Sequence, residues 1–153
     1  MKLRKGDPAP DLDLEDGEGN RWRLADLRGR KVILYFYPAD DTPGCTAQAC
    51  DFRDSLADLQ AAGYIVLGVS PQGAQSHQAF TDKYSINFPL LVDEDHAVAQ
   101  RYGVWGENKF YNNIHLGVKR STFIIDEHGH IDDAQYGVKA RGHVDRLKAA
   151  LGV

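Results

Sequence analysis

The sequence predicts an α/β fold in which a mixed β-sheet lies between two layers of helices. Continuous apolar runs, typical of strands covered on both faces, alternate along the chain with segments of helical periodicity. Near the C-terminus two further strands flank a turn at residues 127–130 and predict a β-hairpin. Parallel strands joined by helices, with a hairpin added at one side, form a three-layer sandwich with a mixed central sheet.

The size and composition of the chain restrict the class of protein. With 153 residues it has the length of one domain, and we expect a single domain over residues 1–153. A hydrophobic content of 42% and a charged content of 26% indicate a folded chain. The net charge of −4 argues against a nucleic-acid partner. No apolar run approaches the roughly 20 residues that span a bilayer, and no signal peptide is evident, so we expect no membrane contact and a cytoplasmic location.

The first elements each have a local signal. A turn cluster at residues 15–20, between two short alternating runs, predicts a β-hairpin near the N-terminus. The β-branched and aromatic run at residues 31–37 predicts a strand buried on both faces, which Pro38 ends. Thr42 is a good N-cap, and Pro43 suits the first helical position because its missing N–H costs nothing there. A helix should therefore follow the strand.

This helix has a single apolar stripe and a defined end. Five residues spaced three or four apart form the stripe: Cys45, Ala49, Phe52, Leu56 and Leu59. Gly63 then ends the helix as a C′ glycine would. The remaining predicted strands are residues 64–69, 88–92, 121–126 and 131–135, and the remaining predicted helices are residues 72–84, 96–102 and 142–151. Residues 103–119 carry no regular period, so no element is predicted there.

Cys45 has the strongest chemical signal, because it falls in the first turn of the predicted helix. There the positive end of the helix dipole and the free backbone N–H groups favour the thiolate, which is the reactive form of cysteine. Gly44 has no side chain to block approach to the sulfur. Asp40 and Asp41 would oppose the thiolate if they pointed inward, so we expect both to face solvent. The alternative for Cys45 is an inert core residue, since cysteine is among the most buried residue types.

Cys50, five residues further on, lies on a different face of the helix. On an ideal helix it is rotated about 140° from Cys45 and displaced about 7.5 Å along the axis, which places the two Cα atoms about 8.6 Å apart. A disulfide needs about 4.4–6.8 Å, so the cysteines pair only if the first turns unwind. A static disulfide is therefore the poorest interpretation. A transient disulfide and a flank cysteine without a role both remain open. The spacing does not suit zinc, and we expect no metal site.

Arg120 opens the predicted strand at residues 121–126. If that strand adjoins the helix start, the guanidinium would favour the thiolate and polarise a bound oxygen, and otherwise Arg120 is a surface residue. Four aromatic residues are candidates for an apolar collar around the cysteine, or for the core: Phe36, Tyr37, Trp105 and Phe110. His128 and His130 lie in the predicted turn and should be solvated. A Cys–His hydrolase would need a histidine that the tertiary fold brings to the cysteine.

At these residues the sequence resembles the peroxiredoxins, and within them the peroxiredoxin Q branch, also called bacterioferritin comigratory protein. The peroxiredoxin motif Pro-x-x-x-Thr-x-x-Cys is matched by Pro38, Thr42 and Cys45, and the second cysteine of the branch is matched by Cys50. Segments similar to the branch are residues 37–54, which surround the motif, and residues 68–71, 88–91 and 120–126. The likeness extends from about residue 6 to the C-terminus, and residues 108–117 are its weakest part.

The resemblance implies a thioredoxin-like fold with an N-terminal extension, and a thiol peroxidase without metal or organic cofactor. Cys45 would be the peroxidatic cysteine, which attacks the O–O bond of a peroxide and becomes a sulfenic acid. Thr42 and Arg120 would orient the thiolate and the peroxide, and Pro38 would shield the site from water. Cys50 would resolve the sulfenic acid as an intramolecular disulfide, recycled by thioredoxin or a similar dithiol protein. Members of the branch are commonly monomers, which is the state expected here.

The expected function is the reduction of hydrogen peroxide and organic hydroperoxides. Two other functions stay open from the residues themselves. A dithiol–disulfide oxidoreductase of the thioredoxin type would suit the fold, although its motif is Cys-x-x-Cys and four residues separate Cys45 from Cys50. A redox sensor, in which oxidation of Cys45 unwinds the helix and changes a binding face, would show one oxidation event without turnover.

Overall fold

The computed structural model describes residues 2–110 and 113–153. In chain order the strands are β1 (Asp13–Glu15), β2 (Arg21–Arg23), β3 (Lys31–Phe36), β4 (Tyr64–Ser70), β5 (Leu90–Val92), β6 (Trp105–Phe110), β7 (Asn113–Val118), β8 (Ser121–Ile125) and β9 (Ile131–Tyr136). The helices are α1 (Pro43–Ala61), α2 (Ala74–Tyr84), α3 (Ala97–Arg101) and α4 (His143–Leu151), and a 3₁₀ turn, Leu24–Leu27, follows β2. Among the helices of these residues, none is long and apolar enough to cross a lipid bilayer.

A five-stranded sheet with the order β5-β4-β3-β8-β9 forms the centre of the molecule. Strand β3 pairs in parallel with β4, and β4 pairs in parallel with β5. Strand β8 runs antiparallel to both β3 and β9. The predicted mixed sheet and the predicted C-terminal hairpin are therefore confirmed. Strands β1 and β2 form the hairpin predicted near the N-terminus.

Two layers of apolar side chains cover the faces of this sheet, because neighbouring residues of a strand point to opposite faces. Within β3, Ile33 and Tyr35 belong to one layer, and Leu34 and Phe36 belong to the other. The first layer is completed by side chains of α1, α2 and α4, and the second by side chains of α3 and the N-terminal segment. Helical segments thus cover both faces, which confirms the predicted three-layer arrangement and explains why β3 is apolar at nearly every position.

Helix α1 begins and ends as its sequence predicts. Thr42 is the N-cap residue, with extended backbone angles, and Pro43 is the first helical residue. At the other end Gly63 adopts a φ of +92°, and its N–H donates to the Gln60 carbonyl at 2.9 Å. A residue with a Cβ would be strained at this φ, which is why glycine ends the helix here. The helix therefore holds Cys45 at a fixed position in its first turn.

Residues 103–119, for which the sequence predicted no element, contain the hairpin strands β6 and β7. Within the described residues these strands pair with each other and form a separate two-stranded sheet. Ile114 is 56% exposed and Leu116 is 67% exposed, so β7 directs large apolar side chains toward solvent. Ile114, Leu116 and Val118 do stand at every second position of β7, but two of these three side chains face solvent instead of the core, and β6 has no such alternation. Residues 111–112 lie outside the described residues.

Candidate active site

The loop between β3 and α1 places Cys45 at the edge of the first apolar layer. Cys45 is 2% exposed and packs with the buried residues of that layer. It is the third residue of α1, where the backbone N–H groups have no acceptor within the helix. The Thr42 hydroxyl was expected to cap these groups but instead donates to the Ala39 carbonyl at 2.9 Å. The first turn of α1 is therefore left with N–H groups and a positive dipole end close to the thiol.

Arg120 lies against the Cys45 sulfur. Its Nη2 donates to Cys45 Sγ at 3.3 Å. The sheet register causes this contact, because Ser121 of β8 pairs with Phe36 at the end of β3. Arg120, immediately before Ser121, is thereby brought to the loop from which α1 starts. Of the two alternatives that the sequence left open for Arg120, the structure shows the position against the helix start.

Gly44 allows the guanidinium to approach this closely. A Cβ atom at position 44 would lie 3.2 Å from Arg120 Nη2 and 3.4 Å from the Cβ of Ala140. Both contacts are tight, so a side chain at this position would displace the arginine or the loop before α4. The sequence suggested that Gly44 leaves room for a reactant at the sulfur. In the structure the arginine occupies much of that room.

Gln48 is a site residue that the sequence reasoning missed. It is fully buried, and its Oε1 accepts a hydrogen bond of 2.7 Å from Arg120 Nη1. Its Nε2 is buried without a hydrogen-bond partner among the described residues. The available signal was its position, three residues after Cys45 and therefore on the same side of the helix. A glutamine there holds one end of the guanidinium while the other end donates to the sulfur.

Cys50 lies apart from this cluster on the same helix. It is partly exposed, and both cysteines are free thiols. Helix α1 runs without interruption through both positions. The ideal-helix separation of about 8.6 Å between the Cα atoms therefore applies, and it exceeds the span of a disulfide.

Asp40 does not face solvent, contrary to the expectation from the sequence. Its side chain is 3% exposed and accepts hydrogen bonds from Tyr37 Oη at 2.6 Å and from Ser76 Oγ at 2.8 Å. The Asp40 carboxylate also lies 2.7 Å from His77 Nδ1. Burial by itself raises the pKa of Asp40, but the hydrogen bonds from His77, Tyr37 and Ser76 outweigh it and hold the pKa below its usual value. The expectation failed because two of the three polar partners, Ser76 and His77, come from α2, which is distant in sequence.

Asp41 does face solvent, as predicted. Its carboxylate accepts hydrogen bonds from Lys83 Nζ at 2.7 Å and from Tyr84 Oη at 2.6 Å. These two hydrogen bonds lower the pKa of Asp41. Asp41 has a φ of +56°, a conformation that aspartate tolerates better than most residues. The backbone therefore turns sharply between the buried Asp40 and the N-cap of α1.

The predicted aromatic collar is wrong for two of its members. Phe36 and Trp105 belong to the layer on the opposite face of the sheet, and Trp105 stacks on His96 at a centroid distance of 3.8 Å. Tyr37 belongs to the layer that contains Cys45. Because neighbouring residues of a strand point to opposite faces of the sheet, Phe36 and Tyr37 lie in different layers. The side chain of Phe110 lies outside the described residues.

No histidine of the described residues hydrogen bonds to Cys45, so the geometry does not favour a Cys–His hydrolase. The buried His143 lies nearby on α4, and its Nε2 is 2.9 Å from Thr122 Oγ1. Burial, together with the charges of Arg146 and Arg120, lowers the pKa of His143 from 6.5 to about 4. His128 and His130 are exposed, as predicted. Within the described residues, no three His, Cys, Asp or Glu side chains are grouped so that they could hold a metal ion.

Comparison with known proteins shows which family this chain belongs to. The family model described as AhpC/TSA matches residues 5–134. A putative peroxiredoxin of Mycobacterium tuberculosis is 51% identical over 152 residues, which cover 99% of this chain and 97% of that protein. Peroxiredoxin Bcp of Escherichia coli is 42% identical over 143 residues, which cover 94% of this chain and 92% of that protein.

Two solved structures show the same architecture. The bacterioferritin comigratory protein of Xanthomonas campestris, studied for its alkyl peroxide reduction activity, has a TM-score of 0.86 and 37% identity, with 92% of this chain and 90% of that chain covered. A cysteine-to-serine mutant of Xylella fastidiosa PrxQ has a TM-score of 0.92 and 30% identity, with 99% and 97% covered.

The protein is a thiol-dependent peroxidase with a thioredoxin-like fold, since relatives over nearly its whole length are peroxiredoxins and share that fold. It belongs to the AhpC/TSA family, and the resemblance to the peroxiredoxin Q branch is confirmed.

Proposed function

We propose that Cys45 is the peroxidatic cysteine of this peroxidase and that its substrates are hydrogen peroxide and organic hydroperoxides. The observation that carries the proposal is the 3.3 Å hydrogen bond from Arg120 Nη2 to the buried Cys45 Sγ. A guanidinium at this distance and the N-terminus of α1 both favour the thiolate over the thiol. The alkyl peroxide reduction activity described for the Xanthomonas campestris relative supports the organic substrates.

In the first step the thiolate of Cys45 attacks the terminal oxygen of the hydroperoxide. The S–O bond forms as the O–O bond breaks, so the sulfur is oxidised by two electrons to a sulfenic acid and the peroxide is reduced. The departing oxyanion takes up the proton that the thiol released on ionisation, and leaves as an alcohol or as water. The Arg120 guanidinium stabilises the negative charge that develops on the departing oxygen.

Thr42 and Pro38 complete the proposed site. The Thr42 hydroxyl donates its proton to the Ala39 carbonyl, so its oxygen lone pairs are available to accept a hydrogen bond from the peroxide. Thr42 and Arg120 together orient the thiolate and the peroxide. Pro38 is exposed at the surface of the same loop, where its ring shields the site from water.

Cys50 resolves the sulfenic acid in the second step. Its sulfur attacks Cys45 Sγ, the S–S bond forms as the S–O bond breaks, and water leaves with the proton of the Cys50 thiol. The ideal-helix separation requires the first turns of α1 to unwind before this step. A dithiol protein of the thioredoxin type then reduces the disulfide by thiol–disulfide exchange and supplies the two electrons of the cycle. The cycle needs only one copy of the chain, because both cysteines come from one helix, and we propose that the protein acts as a monomer.

Intact mass spectrometry after one equivalent of hydrogen peroxide tests both cysteine roles. Reduced wild type should lose two hydrogens. Cys50→Ser should accumulate a sulfenic acid or its adducts, because no resolving thiol is present. Cys45→Ser should show no rapid change and serves as the matched control. A wild type that reacts no faster than a free thiol would contradict the proposal.

Turnover assays identify the reductant and separate the alternatives. Peroxide consumption should continue with thioredoxin and with dithiothreitol as electron donors. Reduction of insulin disulfides in the absence of peroxide turnover would instead support a dithiol–disulfide oxidoreductase. A single oxidation of Cys45, with no continued peroxide consumption when a dithiol is added, would support a redox sensor.

A further inference from the structure

A buried cluster of hydrogen bonds lies behind the active-site loop and has no part in the chemistry described above. Its centre is His77 on α2, whose side chain is 1% exposed. His77 Nδ1 lies 2.7 Å from Asp40 Oδ2, and His77 Nε2 lies 2.8 Å from the Leu91 carbonyl oxygen. Both ring nitrogens of this buried histidine are therefore in hydrogen bonds to oxygen.

The chemistry of these partners determines where the protons lie. A backbone carbonyl only accepts, so His77 Nε2 must carry a proton. An ionised carboxylate also only accepts, and the Asp40 carboxylate already accepts hydrogen bonds from Tyr37 and Ser76. Those donors favour the ionised form of Asp40. His77 Nδ1 must then carry a proton as well, which makes the ring an imidazolium paired with a carboxylate.

This ion pair is separated from the other charges around it. Asp41 is on the same loop as Asp40, and Lys83 is on the same helix as His77. These two residues form an ion pair with each other at the surface. A further polar contact of the loop is neutral, a hydrogen bond of 3.2 Å from the Asp40 backbone N–H to Gln72 Oε1. The charge of His77 is therefore directed at Asp40, two residues before the N-cap of α1.

We propose that His77, as an imidazolium, is a positioning residue that holds the loop at residues 37–42 in the conformation that places Cys45 against Arg120. The ion pair anchors Asp40 on one side, and the Thr42 hydroxyl ties the next turn to the Ala39 carbonyl. A small displacement of this loop moves the thiol relative to the guanidinium, which lies 3.3 Å away. The inference rests on the proposed function, because it assigns His77 a role through Cys45.

Two substitutions of His77 separate the effects of its two hydrogen bonds, because each keeps only one of them. The amide nitrogen of asparagine occupies nearly the place of Nδ1, so His77→Asn keeps a donor to Asp40. The amide nitrogen of glutamine occupies nearly the place of Nε2, so His77→Gln keeps the donor to the Leu91 carbonyl and loses the one to Asp40. The second-order rate constant for oxidation of Cys45 by hydrogen peroxide should fall between about 10-fold and 100-fold in His77→Gln, the cost of a slight misplacement of reacting groups. His77→Asn should lose much less.

The exposed His128, in the turn before β9, gives a matched control. His128→Gln should react like wild type. Equal rates in wild type and folded His77→Gln would overturn the proposal, and so would an equal loss in the Asn and Gln variants, since that indicates a structural role without a specific need for the Asp40 contact. A wild type that does not react through Cys45 would instead contradict the proposed function.

Nitrogen-15 spectra of the histidine side chains test the protonation state in the wild-type protein itself. In wild type both ring nitrogens of His77 should carry protons at neutral pH. In Asp40→Asn the amide can donate to Nδ1, so His77 should become neutral with its proton on Nε2. An unprotonated Nδ1 in wild type would overturn the proposal whatever the rates of the variants.

Discussion

At the sulfur of Cys45, three short-range features act on one atom. The helix N-terminus and the Arg120 guanidinium favour negative charge there, and burial removes the water that would weaken both effects. Charge-assisted hydrogen bonds of this kind are about twice as strong as neutral ones. Gly44 allows the guanidinium to approach, and Gln48 fixes its other end. In the proposed mechanism, the reactivity of Cys45 therefore depends on the position of Arg120 as much as on its charge.

Removal of the Gln48 side-chain amide tests this dependence. In Gln48→Leu the guanidinium loses its 2.7 Å acceptor and gains freedom to leave the sulfur. A hydrogen bond to a charged group is worth about 1.5–3 kcal/mol, so the rate constant for Cys45 oxidation should fall by about 10-fold to 100-fold. Gln48→Glu keeps an acceptor and should retain the position of Arg120. Stopped-flow competition for peroxide gives the rate constants.

Gln60 provides the control for this experiment, because it is an exposed glutamine of the same helix. Gln60→Leu should react with peroxide like wild type. A Gln48→Leu protein with an unchanged rate constant would show that Arg120 keeps its place without the amide.

At the scale of the element, α1 serves two purposes along its length. Its first turns carry Cys45, Gln48 and Cys50, and its later turns pack on the sheet through Leu56 and Leu59. The packed part can therefore remain in place while the first turns rearrange.

Amide hydrogen exchange of the oxidised protein tests whether the first turns of α1 rearrange while its later turns stay in place. Formation of the disulfide between Cys45 and Cys50 requires unwinding, so residues 42–54 should exchange faster than in the reduced protein. The amides of Leu56 and Leu59 should stay protected because their side chains are buried.

Cys50→Ser treated with the same oxidant should keep the reduced pattern, since it cannot form the disulfide. Unchanged exchange at residues 42–54 in a protein with a verified disulfide would show that the two cysteines pair without unwinding of α1, and that the helix register is wrong.

At the scale of the whole molecule, the strand order decides which residues meet. Antiparallel pairing of β8 with β3 brings Arg120 to Cys45 although 75 residues separate them in the chain. His143 of α4 lies at the same end of the sheet. It is buried beside Phe52, and it shares a hydrogen bond with Thr122. The site thus lies where three distant segments pack together, and its integrity depends on the stability of the fold.

The pH dependence of global unfolding should show the contribution of His143. Because burial lowers its pKa to about 4 in the folded protein, the unfolded chain takes up a proton between pH 6.5 and 4 that the folded protein does not. The free energy of unfolding should therefore decrease as the pH falls through this range, and be independent of His143 above it. One pKa unit corresponds to about 1.4 kcal/mol, so the decrease amounts to a few kcal/mol at most.

Urea unfolding of wild type and His143→Gln at several pH values measures this contribution. The glutamine keeps a polar contact with Thr122 but does not titrate, so the difference between the two proteins isolates the histidine. Parallel pH profiles for the two proteins would contradict a lowered pKa.

Much of the fold follows from local patterns in the sequence. The apolar run of β3, the proline that begins α1 and the glycine that ends it act over a few residues each and were predicted correctly. Thr42 is the N-cap residue as predicted, but its hydroxyl does not make the cap hydrogen bond. The hairpin at β6 and β7 was missed because β6 has no regular apolar alternation, and the alternation of β7 covers only six residues, with Ile114 and Leu116 facing solvent instead of the core.

The sequence by itself determined that Cys45 lies in the first turn of a helix, and that a second cysteine follows beyond disulfide range while that helix is intact. These properties depend on neighbours in the chain and on the geometry of one helix. Only the tertiary structure decided that Gln48 holds Arg120, and that Asp40 is buried against His77. A polar side chain is bound by whichever partner the fold brings opposite it, and that partner comes from a segment whose position depends on the pairing of the whole sheet.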